Sequence, residues 1–248
     1  MCRQQALLCD SHLLPRAMYR LMRDQDRGNP NPVVVTPVRG AIRISNQIKD
    51  YLLCGECETR LKRRGEDFAM KHCYRGRDTF RMRSLLRESK PAVRDSKIEI
   101  YRGSTIPNFE ELVYFAISVF WRAAVHTWRF EGRRYHIDVG PYSGGMRRYL
   151  LDEAPFPAHM ALSIRISSRD DLLACTPQSG TMDGYHVHKF LMPGMMFLLL
   201  VGGRIPEYAF RCSTAPSPER FISIHPKSEI NDLAAMAQMV QSTDLSIG

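Results

Sequence analysis

Two spacings of apolar residues alternate along this chain. In the first third, Pro15 can open a helix running through Met18, Leu21 and Met22, because its missing amide is no loss in a first turn. Gly28-Asn29-Pro30-Asn31-Pro32 reads as a loop, Val33–Val35 and Ile42–Ile44 as two short strands, and a second helix begins near Glu58 and carries Leu61, Phe68 and Ala69. Further on, Asn108 is read as the cap of a helix with Glu111 in a capping-box-like place. Leu112, Phe115, Val119, Trp121 and Val125 then mark a core helix, with Trp121 and Trp128 seven residues apart on one face. Strand-like runs follow at Tyr135–Val139, Leu162–Ile166, Tyr185–Phe190, Met195–Val201 and Phe221–Ile224, separated by Gly and Pro turns, before a last helix at about Ile230 to Val240. The pattern predicts an α+β protein with a mainly antiparallel sheet. A polar stretch from Glu88 to Lys97 interrupts it, so the reading places one unit at residues 1–90 and an α+β domain at 98–248.

Charge sharpens that division. Residues 1–100 hold 21 Lys and Arg against 12 Asp and Glu, which accounts for the whole net charge of +9 on the 248-residue chain. A basic N-terminal unit beside a neutral partner points to contact with a polyanion, most often nucleic acid. The longest apolar stretch, Met195–Val201, is far shorter than the roughly 20 residues of a membrane span. With no basic-then-apolar leader at the start, the expectation is a soluble, cytoplasmic protein. Seven cysteines in such a setting argue for free thiols or metal ligands and against a disulfide framework.

Two segments carry the candidate chemistry: Leu8-Cys9-Asp10-Ser11-His12-Leu13-Leu14-Pro15 and Tyr51-Leu52-Leu53-Cys54-Gly55-Glu56-Cys57-Glu58. The C-x-x-C pair Cys54 and Cys57 places two thiolates within reach of one tetrahedral Zn²⁺. Cys2 is the natural third ligand, and Cys9, His72 and Cys73 are open alternatives for the fourth. The competing reading is a set of buried or redox thiols. Ser11-His12-Leu13-Leu14-Pro15 followed by Tyr51-Leu52-Leu53-Cys54-x-x-Cys57-Glu58 resembles a pattern of bacterial proteins related to HNH endonucleases, over roughly residues 1–75. Ser118-Val119-Phe120-Trp121-Arg122-Ala123 resembles a further segment of the same proteins.

That resemblance implies a treble-clef, ββα-metal-like module with structural zinc, cleavage of DNA or less readily RNA, and a place in defence against mobile DNA. It aligns His12 with the general base and Asn46 with the asparagine that orients it. The chain departs from the pattern at two points. The partner of Cys2 in a first knuckle falls two positions before Met1, so an upstream start is expected to supply it, and Glu58 stands where a standard HNH enzyme has its final histidine. Phosphodiester hydrolysis needs a base for water and a hard cation at the phosphate. Asp10, Glu58 and Glu66 are the oxygen donors available for Mg²⁺ or Mn²⁺. Each has an ordinary alternative: His12 and Asp10 in capping or packing, Asn46 in a turn, and Glu58 and Glu66 as solvated helix residues beside arginines.

Arg60, Lys62, Arg63 and Arg64, with Arg75 and Arg77, are the candidate phosphate contacts, against the reading of a solvated helical face. His186 and His188 share one face of a strand, a spacing seen in metal sites, but no third ligand stands nearby in sequence. The rival functional readings are a zinc-stabilised nucleic-acid-binding module without catalysis, and a protein-interaction or sensing module.

Overall fold

The computed structural model describes residues 1–23, 33–36, 40–43, 47–76, 79–95, 98–130, 132–169, 172–182, 185–203 and 205–225. Asn46, Arg77 and the helix expected at 230–240 lie outside them. The chain opens with β1 (Leu8–His12), α1 (Arg16–Arg23), β2 (Val33–Thr36), β3 (Gly40–Arg43) and β4 (Lys49–Cys54). Next come α2 (Gly55–Leu61), a π-helical turn (Lys62–Glu66), α3 (Asp67–His72), α4 (Arg81–Arg87), β5 (Val93–Arg94) and β6 (Glu99–Arg102). The remainder is α5 (Glu110–Val125), β7 (Trp128–Phe130), β8 (Arg133–Tyr135), α6 (Ser143–Leu150), β9 (Met160–Ser167), β10 (Ala174–Met182), β11 (Tyr185–Met192), β12 (Met195–Val201), α7 (Glu207–Arg211) and β13 (Phe221–His225).

Nine strands form one mixed sheet in the order β3-β2-β10-β11-β12-β9-β13-β6-β5. Its pairings are antiparallel except β2 with β10 and β9 with β13, so the α+β class with a mainly antiparallel sheet holds. Helix α5 lies on this sheet through aromatic side chains. Phe115 meets Phe190 and Phe197 edge-on at 5.9 and 5.7 Å, and Phe120 meets Phe190 at 5.0 Å. Every residue of α5 from Leu112 to Ala123 is buried, which is why its apolar positions run almost all the way round. α5 also receives the π-helical turn. A Cβ on Gly65 would stand 2.9 Å from the backbone N and Cα of Phe115, so glycine alone permits that approach.

The boundary expected at 88–97 falls on the stretch from α4 into β5. The segments on its two sides are not separate in space. One apolar cluster takes in Leu13, Leu61 and Phe68 together with Phe115, Ile164 and Phe197, and β2 and β3 extend the edge of the large sheet.

Three local expectations are corrected. Asn108 does not cap α5. It sits in the left-handed region (φ 58°), from which its side chain cannot reach the helical amides, and Phe109 precedes the helix instead. The strand expected at Tyr135–Val139 ends at Tyr135, because the Ile137 amide turns to the Ala123 carbonyl (3.0 Å) and satisfies the C-terminal end of α5. Trp128 is buried as expected but lies in β7 beyond the end of the helix.

Candidate functional site

β1 and β4 pair antiparallel in a two-stranded sheet of their own, and α2 follows β4 without a break. Leu8 faces Cys54 at one end of this pair and His12 faces Lys49 at the other. The thiols gather at the Cys54 end. Cys54 closes β4, Cys57 lies in the first turn of α2, and Cys2 comes from the segment before β1. Their three sulfurs lie within 4.8 Å of one another.

Cys2 Sγ and Cys54 Sγ are 3.7 Å apart. That exceeds the roughly 2.05 Å of a disulfide. It matches the edge of a tetrahedron, about 3.8 Å, around an ion with Zn–S bonds of about 2.3 Å. The cluster could therefore hold a metal ion. The Gln4 backbone amide, with help from Cys57, lowers the pKa of the Cys2 thiol below its ordinary value, while burial pushes Cys57 up to about 12. A bound dication is what would favour the thiolate at such a buried sulfur.

Of the three fourth-ligand candidates, Cys9 comes nearest, with its sulfur 3.9 Å from where a Cβ on Gly55 would be, but it does not join the group of three sulfurs that converge within 4.8 Å. His72 and Cys73 lie fifteen or more residues along the helices from Cys57, roughly 22 Å at about 1.5 Å per residue. There His72 stacks on Phe68 at 4.0 Å and its Nδ1 bonds the Phe68 carbonyl (2.8 Å).

His12 lies four residues from the Cys54 end, about 13 Å along the strand. The thiols and the imidazole therefore do not share a pocket. Asp10 and His12 alternate onto one face of the pair with Lys49 and Tyr51, and Lys49 forms an ion pair with Asp10 there.

What fixes His12 is a residue read only as part of a resembling segment. The Arg122 guanidinium, 1% exposed, donates from Nη1 to the His12 carbonyl (2.7 Å), from Nε to the Ser118 carbonyl (3.3 Å) and from Nη2 to Glu66 Oε1 (2.9 Å). The π-helical turn delivers Glu66 to this point, so His12 and Glu66 are brought together through one guanidinium. A lone Arg in an apolar helix was the available signal. Glu58 lies in α2, with Oε1 buried and without a hydrogen-bond partner among the described residues. Beside them His126 Nε2 bonds Asp50 Oδ2 at 3.0 Å, and this contact lowers the pKa of the Asp50 carboxyl.

The basic residues divide. Arg60 and Arg64 both bond Asp152, Arg64 also covers the Tyr114 ring at 4.7 Å, and Lys62 pairs with Asp67. Arg63 and Arg75 are exposed and make no ion pair among the described residues. His188 is fully buried, with Nδ1 on Ser179 Oγ at 2.9 Å and Nε2 without a hydrogen-bond partner among the described residues. His186, its neighbour on the same strand, is exposed.

No family model matches the chain, and no solved structure matches it significantly. A stretch of 75 residues is 33% identical to an imidazoleglycerol-phosphate dehydratase of Kineococcus radiotolerans. The match takes in 30% of this chain and spans only 38% of that enzyme's length. None of the described helices is long and apolar enough to cross a membrane.

Proposed function

We propose that this protein is an HNH-like nucleic-acid-binding protein whose β1–β4–α2 unit is stabilised by Zn²⁺ on Cys2, Cys54 and Cys57. The observation that carries the reading is the strand–strand–helix unit itself, closed at one end by three converging sulfurs and at the other by Arg122 on the His12 carbonyl. Soft thiolate donors select zinc over hard cations. The surplus of basic residues in the first hundred positions supplies the attraction for a polyanion.

A site for Mg²⁺ or Mn²⁺ fits less well. Asp10 is engaged by Lys49 and Glu66 by Arg122, and among the described residues the thiols are the group of three or more metal-ligating side chains that converges.

Cleavage of DNA is the second reading. It is favoured by the position of His12 on the open face of the strand pair and by the unpartnered Glu58 oxygen. In that reading His12 takes the proton from the attacking water.

Metal analysis of purified protein is expected to find zinc, lost in Cys57→Ser. Duplex DNA is expected to bind with an affinity that falls steeply with salt. A plasmid incubated with protein and Mn²⁺ is expected to stay intact. Nicking that disappears in His12→Ala would replace this reading with the second, and protein without zinc or DNA affinity would end both.

A further inference from the structure

β7 and β8 form a separate two-stranded ribbon in which Trp128 faces Tyr135 and Arg129 faces Arg134. Successive strand residues point to opposite faces, so Arg129 and Arg134 share one face of this ribbon and Trp128 and Tyr135 the other. The second face is anchored: Trp128 and Tyr135 are buried, the Trp128 indole N–H donates to the Arg122 carbonyl at 3.0 Å, and the Tyr135 hydroxyl donates to the Pro177 carbonyl. Arg129 and Arg134 are left exposed on the other face.

Like charges directly opposite each other on a strand pair repel and cost stability. Neither arginine makes an ion pair among the described residues. The nearby carboxylate of Asp50 is already engaged by His126 at 3.0 Å and by the Tyr51 amide at 2.8 Å. The fold thus holds two guanidinium groups side by side on an anchored ribbon, with no ion pair to either among the described residues and Asp50 acting on Arg129 only at longer range.

We propose that the Arg129/Arg134 face of this ribbon binds the phosphate backbone of duplex DNA. Guanidinium is suited to phosphate because its planar donors match the oxygens two at a time. A two-stranded ribbon also has a width that duplex DNA accommodates in its major groove. β7 packs against β4, the strand that pairs with β1. Neither arginine belongs to the basic run of residues 60–64, whose Arg60, Lys62 and Arg64 are consumed by Asp152 and Asp67.

The inference rests on the nucleic-acid reading above, and one experiment separates the two. Binding of the full chain to a short fluorescein-labelled duplex is followed by anisotropy across a potassium chloride series. Each neutralised phosphate contributes about 0.9 to the slope of log K against log salt. Arg129→Gln/Arg134→Gln is therefore expected to reduce the slope by about 1.8 and each single variant by about 0.9, whereas Arg129→Lys/Arg134→Lys keeps it. Both positions are exposed, and a cooperative melting transition at or above the wild-type temperature verifies that the variants fold. A wild-type slope retained in the double Gln variant overturns the ribbon's role and leaves the nucleic-acid reading standing. A wild-type protein with no salt-dependent affinity for the duplex overturns both.

Discussion

Arg122 shows how much one buried charge can organise. Its guanidinium joins the strand carrying His12, the helix carrying Ser118 and the turn carrying Glu66. Removing one partner of a buried ion pair strands the other, at a cost of roughly 3–5 kcal/mol. Arg122→Met is expected to destabilise the protein by about that amount in urea unfolding, and Arg122→Met/Glu66→Gln to recover part of it. His188 makes a second residue-scale case. Burial lowers its pKa from the usual 6.5 to about 4, with the nearby His186 pushing the same way and Asp138 opposing. The unfolded chain therefore binds a proton near pH 6.5 that the folded protein refuses. This stabilisation is present above pH 6.5 and is lost as the pH falls from there towards 4, a total of roughly 3 kcal/mol. His188→Gln is expected to flatten the stability profile across that window in denaturation curves collected at stepped pH. The His186-x-His188 spacing was visible in the sequence, but the Ser179 partner lies on the neighbouring strand and could not be read from it.

At the scale of elements, the π-helical turn sets the relation between the helix after the C-x-x-C pair and α5. Ala at position 65 would place a methyl group 2.9 Å from the Phe115 backbone, which cannot yield as a flexible side chain can. Gly65→Ala is expected to cost about 1–3 kcal/mol or more. Gly144→Ala, with nothing within 4 Å of its Cβ, is expected to be neutral or slightly stabilising in the same thermal melts. Elements with long apolar runs or clear alternation were legible: α5, β12 and the strands around β9 and β11 fall where the apolar residues put them. β10 was missed because Pro177 sits between Cys175 and Gln178, where the ladder register shifts, and the strand shows little alternation. β1 was read as a motif because Asp10, Ser11 and His12 look like chemistry. They are also strand residues, with Ser11 buried and its hydroxyl accepting the Leu53 amide at 3.0 Å.

For the whole molecule, the basic surplus and the three cysteines were legible as features, but their geometry depended on contacts distant in sequence. Asp152 neutralises Arg60 and Arg64 from 92 and 88 residues away, which no local reading of the 60–64 run reveals. The shared apolar cluster has a direct consequence for fragments. A chain of residues 1–90 would expose Leu13, Leu61 and Phe68, whose cluster partners include Phe115 on α5 and Phe197 on β12. Such a fragment is expected to show no cooperative thermal transition by circular dichroism, whereas the full chain shows one.

The long excursion between β1 and β4 bears on how the protein reaches this state. Strands joined by a two-residue turn can zip together locally, but these two are separated by residues 13–48, part of which is built into the edge of the large sheet. Closing that span costs about 2.5 kcal/mol more chain entropy than a tight turn. The Arg122 contact that pins the end of β1 must also wait for α5 to leave the ribosome. The sulfur corner depends on that long closure, and an ion captured there would act as a latch upon it.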